Sequence, residues 1–306
     1  MTTPIQSTSA ESSRESILAA PVSQRPSWSA YLIYYLRHKP LGTIGISIVA
    51  LMILVAVFAP FIAPYTYQEQ NYQAVKQAPN LGFFFGTDQF GRDIFSRVVY
   101  GARISMMVGF LAVIAGTGAG AIVGLISGYF MGKLDAFVQR LVDMWMSFPD
   151  LILALTIVAV FGNTIPNVIL AIAATIMPRG VRVIRSSTIA IREMDYTVAA
   201  RAIGASDLRI MLRHVMPNTV APFLIIMSSM FGTAILTEAG LSFLGLGISE
   251  PTPSWGRMLT GQAAQYMVTA PWILIFPGLA ITITVMGFAF AGDALRDIFD
   301  PKLRGR

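Results

Sequence analysis

Cysteine is absent from the 306-residue chain, which leaves no disulfide framework, no thiolate metal site and no thiol nucleophile. Histidine is nearly absent: His38 and His214 stand in separate segments, too little to build imidazole catalysis or a zinc cage. No GxxxxGK[ST] phosphate cradle occurs, and neither does HExxH or GxSxG, so nucleotide, zinc-protease and serine-hydrolase chemistry have no motif to stand on. Charge is also scarce. Asp, Glu, Lys and Arg make up 12% of the chain, about half the share of a soluble globular domain.

What fills the space is hydrocarbon. Apolar residues reach 55%, the composition of an integral membrane protein, and a membrane helix needs about 20 mostly apolar residues. Six stretches qualify, near 41–63, 102–128, 136–161, 165–186, 219–245 and 271–293. The predicted fold class is therefore all-α, a polytopic membrane protein with six transmembrane helices. The second stretch carries GTGAGAIVGLISG, whose small residues suit either close helix approach in lipid or flexibility. Residues 1–29, rich in Ser, Thr, Gln and Pro without an apolar run, read as a disordered cytoplasmic tail. The following YLIYYLRHKP reads as an interfacial helix over 30–40 leading into a permeation domain over 41–306.

Positively charged loops stay on the cytoplasmic side. With the N-terminus inside, only Lys76, Arg92, Arg97, Arg103 and Arg257 of the 22 lysines and arginines fall outside. Both termini are then cytoplasmic, with an external segment over 64–100 and a cytoplasmic loop over 187–218. The net charge of +6 follows from this topology, so it gives no support to a nucleic-acid partner. Arg179, Arg182 and Arg185 read as topology determinants and salt-bridge donors.

The 187–218 loop is long for a tight helix pair. IREMDYTVAARA is helix-friendly, Gly204 can stop that helix in a backbone conformation closed to other residues, Ser206 and Asp207 can cap a second short helix, and Pro217 is expected to mark the turn into the fifth span. Small Ala199 and Ala200 leave room for a partner, with Arg201, Ala205, Arg213 and His214 alongside.

Here the sequence resembles the membrane subunits of ATP-binding-cassette importers, whose cytoplasmic signature is Glu-Ala-Ala, three residues, Gly, nine residues, then Ile, any residue, Leu and Pro. Ala199, Ala200, Gly204 and Pro217 match; Val198, His214 and Met216 depart from it. GTDQFGRDIFSRVVYGARIS at 86–105, EAGLSFLGLG at 238–247, PSWGRML at 253–259 and GDALRDIFDPKL at 292–303 are similar to the peptide and nickel branch, in particular the second permease of dipeptide and oligopeptide systems. The resemblance implies a type I permease fold, a loop that docks as a coupling helix, a second permease as heterodimer partner, two ATP-binding subunits carrying ATP and Mg, an extracytoplasmic binding protein, and residence in the bacterial inner membrane. It implies no cofactor or metal on this chain and no enzymatic activity of its own. Nickel or glutathione is the alternative cargo. An ion-coupled carrier is the competing reading from another class, and it would need an acidic relay or inverted broken repeats, neither of which is evident.

Within the spans, ionisable groups mark candidates for the translocation path: Glu238, Arg103 and Asp143. Glu238 suits a peptide amino group or, equally, an ion pair with Arg103 that locks two spans. Outside, Asp88, Arg92, Asp93, Trp255 and Arg257 are candidate binding-protein contacts, and a local ion-paired turn is an equal reading of the first three.

Overall fold

The computed structural model describes residues 40–260 and 265–299. The expected tail 1–29 and all but Pro40 of the expected interfacial helix 30–40 lie outside the described residues. The chain is all-α, with no strand among the described residues apart from a single bridge, Thr87 to Asp93.

Helix α1, Pro40–Val57, and the short α2, Ala59–Ile62, precede an irregular segment that leads into α3, Ile94–Phe130. After α3 come α4, Gly132–Met146, α5, Asp150–Phe161, and α6, Ile165–Arg192. Two short pieces follow, α7, Asp195–Ala202, and α8, Asp207–Ile210; a π turn, Met211–Val215, joins α8 to α9, Met216–Phe243. Helix α10, Trp255–Met258, sits in the next loop, and α11, Trp272–Phe299, closes the described chain.

Five helices are long and apolar enough to cross a membrane, and α4 with α5 makes a sixth span if the bent pair is counted as one. That third span is not the straight helix expected over 136–161. It breaks at Ser147–Pro149 with an 88° bend. The α5 part, 12 residues, is about 18 Å long, short of the roughly 30 Å hydrocarbon layer. The second span starts eight residues earlier than expected, because Asp93 caps α3: its Oδ2 accepts from the Ser96 N–H at 2.8 Å and from Ser96 Oγ at 2.7 Å.

The core is the α3–α6 pair, the most extensive helix contact in the chain. Gly116, Gly120, Gly124 and Gly128 recur every four residues along one stripe of α3. A Cβ on these four would come within 2.5–2.8 Å of the carbonyl oxygens of Ala173, Met177, Val181 and Arg185. The small residues thus serve packing: backbone lies on backbone, where dispersion replaces the hydrophobic drive lost in lipid. Around this pair Val108, Val113, Val158, Ile172, Ile176 and Leu241 form a buried cluster that draws in α5 and α9. Helix α1 packs on α11 through glycine as well, Gly45 against Phe290 and Ala291, and Gly287 against Ile48.

Candidate functional site

The 195–215 segment is two-faced. Thr197, Ala200, Ile210, Met211 and Val215 are buried, and all but Thr197 pack with Leu125 and Tyr129 at the end of α3 and with Ile184 and Ile191 of α6. The opposite face is exposed: Val198, Ala199, Arg201, Ser206, Arg209 and Arg213, with Ile203 at 86% and Leu208 at 61% exposure. Gly204 makes the turn between the two faces with φ +85, a left-handed conformation open to glycine. Ala205 is half-buried beneath it and donates its N–H to Ala200 O at 3.1 Å.

Three local expectations are corrected. Ala200, expected to leave room for a partner, is buried in the cluster with Leu125, Tyr129, Ile184 and Ile191, and only Ala199 of the two is exposed. Ser206 stands at the N-cap of α8 but makes no side-chain capping bond; its carbonyl accepts from Ile210 N–H at 3.0 Å. Asp207 instead accepts from Tyr129 Oη at 2.7 Å, tying the loop to the end of α3. Pro217 marks no turn either, since α8 runs through the π turn into α9 as one 37-residue helix. Proline has no N–H for the carbonyl four residues back, and the widened π turn, in which Met216 N–H reaches Met211 O, absorbs the mismatch. His214 lies half-buried beside Tyr196, ring centroids 6.4 Å apart. Ile203 and Leu208 are surface residues that the motif spacing did not flag, and Val198, where the motif has Glu, is exposed as well. Their signal was apolar residues in a segment otherwise suited to water.

Three arginines on one side of α6 hold the broken third span. Arg179 Nη2 donates to Asp150 Oδ2 at 2.6 Å, Arg182 Nη2 to Asp143 Oδ1 at 2.5 Å, and Arg185 grips Asp135 with two bonds of 2.6 and 2.5 Å. The last is a bidentate fork, and Ser127 Oγ of α3 donates to the same carboxylate at 2.5 Å. At the bend, Pro178 inside α6 leaves the Ala174 carbonyl without its helical donor, and Trp145 Nε1 donates to that oxygen at 3.1 Å. Asp143, a candidate for the path, is thus the middle rung of this ladder.

Glu238 is fully buried, accepting from Ser242 Oγ at 2.7 Å and Ser105 Oγ at 3.2 Å. Ser105 Oγ in turn accepts from Trp255 N–H, and Ser254 Oγ lies 3.3 Å from Ser242 Oγ. The carboxylate therefore fastens α10 to α3 and α9. The expected Glu238–Arg103 lock does not form: Arg103 is exposed on α3, two residues and a large part of a helical turn away from Ser105, which faces Glu238.

On the far end of the chain, four of the five candidate binding-protein contacts point inward. Asp88, Arg92, Asp93 and Trp255 are buried, so their side chains serve the segment's own structure. Asp88 Oδ1 accepts from the N–H of Phe90 and of Arg92 at 2.8 and 2.9 Å, and Arg92 Nη2 reaches Glu250 at 3.4 Å. Trp255 Nε1 donates to Val98 O at 2.9 Å. Of the expected ion-paired turn only a 3.9 Å approach of Arg92 Nε to Asp88 Oδ2 is present, while Asp93 caps α3 through Ser96. Arg257 is half-buried and lines a polar cleft of about 350 Å³ together with Asp88, Arg97 and Glu250. Phe85 stacks on Phe276 at 3.9 Å, and Lys76 Nζ lies 3.8 Å over the Tyr266 ring, so the loop is a built surface.

A glycine-zipped helix core, a broken span and a two-faced loop agree with the comparison to known families. Residues 120–305 match the binding-protein-dependent transport system inner membrane component, and residues 27–79 match the N-terminal TM domain of oligopeptide transport permease C. The chain belongs to this permease family. Among its relatives, the dipeptide transport system permease protein DppC of Alkalihalophilus pseudofirmus is 42% identical over 269 residues, 88% of each chain. The glutathione transport system permease protein GsiD of Escherichia coli is 41% identical over 289 residues, 94% of this chain and 95% of that one. The permease is accordingly a multi-pass membrane component of an importer.

Proposed function

We propose that the permease is the second membrane subunit of an ATP-driven peptide importer, taking di- or oligopeptides from an extracytoplasmic binding protein, and that residues 187–218 couple it to a separate ATPase. The observation that carries this reading is the two-faced loop. Its inner face is fixed to α3 and α6, and its outer face offers Ile203, Leu208 and Val198 with the charges of Arg201, Arg209 and Arg213 around them. Such a surface suits insertion into a groove on a partner, with apolar anchors inside a polar rim.

A push on this loop reaches the spans by two rigid routes. Tyr129 and Asp207 carry it to α3, and the packing of Ala200 against Ile184 and Ile191 carries it to α6. Helix α6 then moves the bent third span through the arginine ladder. Rigid-body rocking of packed helices about such contacts is a common mode of switching. In this proposal the partners are a second, different permease and two ATP-binding subunits, which hold the ATP and Mg. Both termini lie in the cytoplasm, the 64–100 segment outside. Arg257 and the cleft around it face the binding protein.

The dipeptide and glutathione names of the two relatives support a small peptide as cargo, with glutathione as the second reading. The test is purification of the tagged permease from membranes in mild detergent, identification of what co-purifies, and ATPase assay with the cognate binding protein and either dipeptides or glutathione. Recovery of a second permease and ATPases, with stimulation by dipeptides, is the expected result. Stimulation by glutathione alone would select the second reading, and transport by the permease alone without ATP would remove both.

A further inference from the structure

The cleft around Arg257 carries a charge pattern of its own. It lies among the start of α3, the loop after α9, α10 and the start of α11, with a volume of about 350 Å³. Asp88, Arg97, Glu250 and Arg257 give it charge, and Ile94, Phe243 and Ile273 give it apolar wall. A polar hollow of that size holds a small zwitterion or the tip of an acidic side chain.

One of its buried guanidinium donors is unanswered. Arg97 is 4% exposed and spends one nitrogen on the Tyr67 carbonyl at 3.0 Å. Its Nε lies 3.9 Å from Asp88 Oδ2, too long for a hydrogen bond, and Arg92 Nε stands at the same distance from that oxygen. Arg257 has no ion pair among the described residues, and its Nε is buried with no hydrogen-bond partner among them. Arg92, which pairs with Glu250 but does not itself line the cleft, leaves Nε and Nη1 without hydrogen-bond partners among the described residues. Asp93 does not line the cleft; its Oδ2 is committed to Ser96 and its Oδ1 is buried without a hydrogen-bond partner among the described residues. Buried guanidinium N–H groups without acceptors are costly, and a planar carboxylate fits their fork.

From this geometry we propose that the cleft of Arg97 and Arg257 binds a carboxylate, brought either as the C-terminus of a free peptide or as an acidic side chain of the binding protein. The proposal rests on the external placement given under Proposed function. Glu250 at the rim pairs with Arg92 and competes with an incoming anion, so it sets the affinity from the opposite side.

The experiment uses the assembled importer in lipid nanodiscs. One arm measures affinity for a dipeptide, for its C-terminal amide and for N-acetylglycine, without binding protein. The other measures affinity for peptide-loaded binding protein. Arg257→Gln is expected to weaken one arm about tenfold, Arg257→Lys to recover most of that loss, and Glu250→Gln to tighten the same arm, a gain that misfolding cannot mimic. Loss in the first arm together with failure of the amide assigns the carboxylate to the peptide. Loss in the second arm alone assigns it to the binding protein. If neither arm moves by more than twofold in any variant, the cleft is not a carboxylate site, even where wild-type ATPase remains peptide-stimulated and the importer reading stands. A wild-type assembly without peptide stimulation would overturn the peptide reading instead, and the N-acetylglycine measurement then decides the cleft by itself.

Discussion

At the scale of single residues, Gly204 carries the largest consequence for its size. A Cβ there would meet nothing within 4 Å, so space does not forbid a side chain; the φ of +85 does. A β-branched residue in that conformation costs about 1–3 kcal/mol, enough to displace a turn held by few contacts. Gly204→Val is therefore expected to leave membrane insertion intact while lowering ATPase co-purification and transport several-fold. Wild-type transport by this variant would remove the turn from the coupling argument. Trp145 shows the same economy of scale, since one indole N–H answers the carbonyl that Pro178 orphans and so pins the bend of the third span.

At the scale of elements, the decisive contact is the glycine stripe of α3 on α6. At four successive glycines α3 lies against the backbone of α6, and a residue larger than glycine must push the two helices apart. Gly124→Leu, whose new atoms would meet Val181 O and Arg185 N, is expected to destabilise the helix pair by roughly 3 kcal/mol or more, the upper range for overpacking. A control at Gly118, where a Cβ meets nothing within 4 Å, should be close to neutral. The readout is thermal unfolding in detergent by size-exclusion recovery; equal midpoints for the two variants would mean that the stripe does not bear the packing. The arginine ladder belongs to this scale too. Its three pairs tie α4 and α5, bent by 88° from one another, to the single helix α6.

At the scale of the whole molecule, topology is the claim that everything else leans on. The absence of native cysteine makes single-cysteine labelling clean. Leu81, 94% exposed in the far segment, and Ile203 on the loop are the sites to use, whereas a cysteine at buried position 255 would report burial and not sidedness. Leu81→Cys is expected to react with an impermeant maleimide on intact cells and Ile203→Cys only after permeabilisation. The reverse pattern would place the loop outside and break its link to an ATPase.

The division between sequence and structure follows the range of the physics. Apolar run length decided the spans, and the spacing Ala199, Ala200, Gly204, Pro217 marked the loop, because hydropathy and backbone turns are written in neighbouring residues. The arginines of α6 could be read as ion-pair donors for the same reason, but not their acceptors. Which carboxylate an arginine meets, that Glu238 answers to serines and not to Arg103, that Asp88, Arg92, Asp93 and Trp255 turn inward, and that the third span bends by 88° were decided by tertiary packing. The arginines of α6 meet carboxylates 29 to 50 residues away, Glu238 meets Ser105 133 residues away, and Trp255 meets Val98 157 residues away. Long-range pairing in a close-packed interior is settled by which surfaces fit, and no local pattern records that fit.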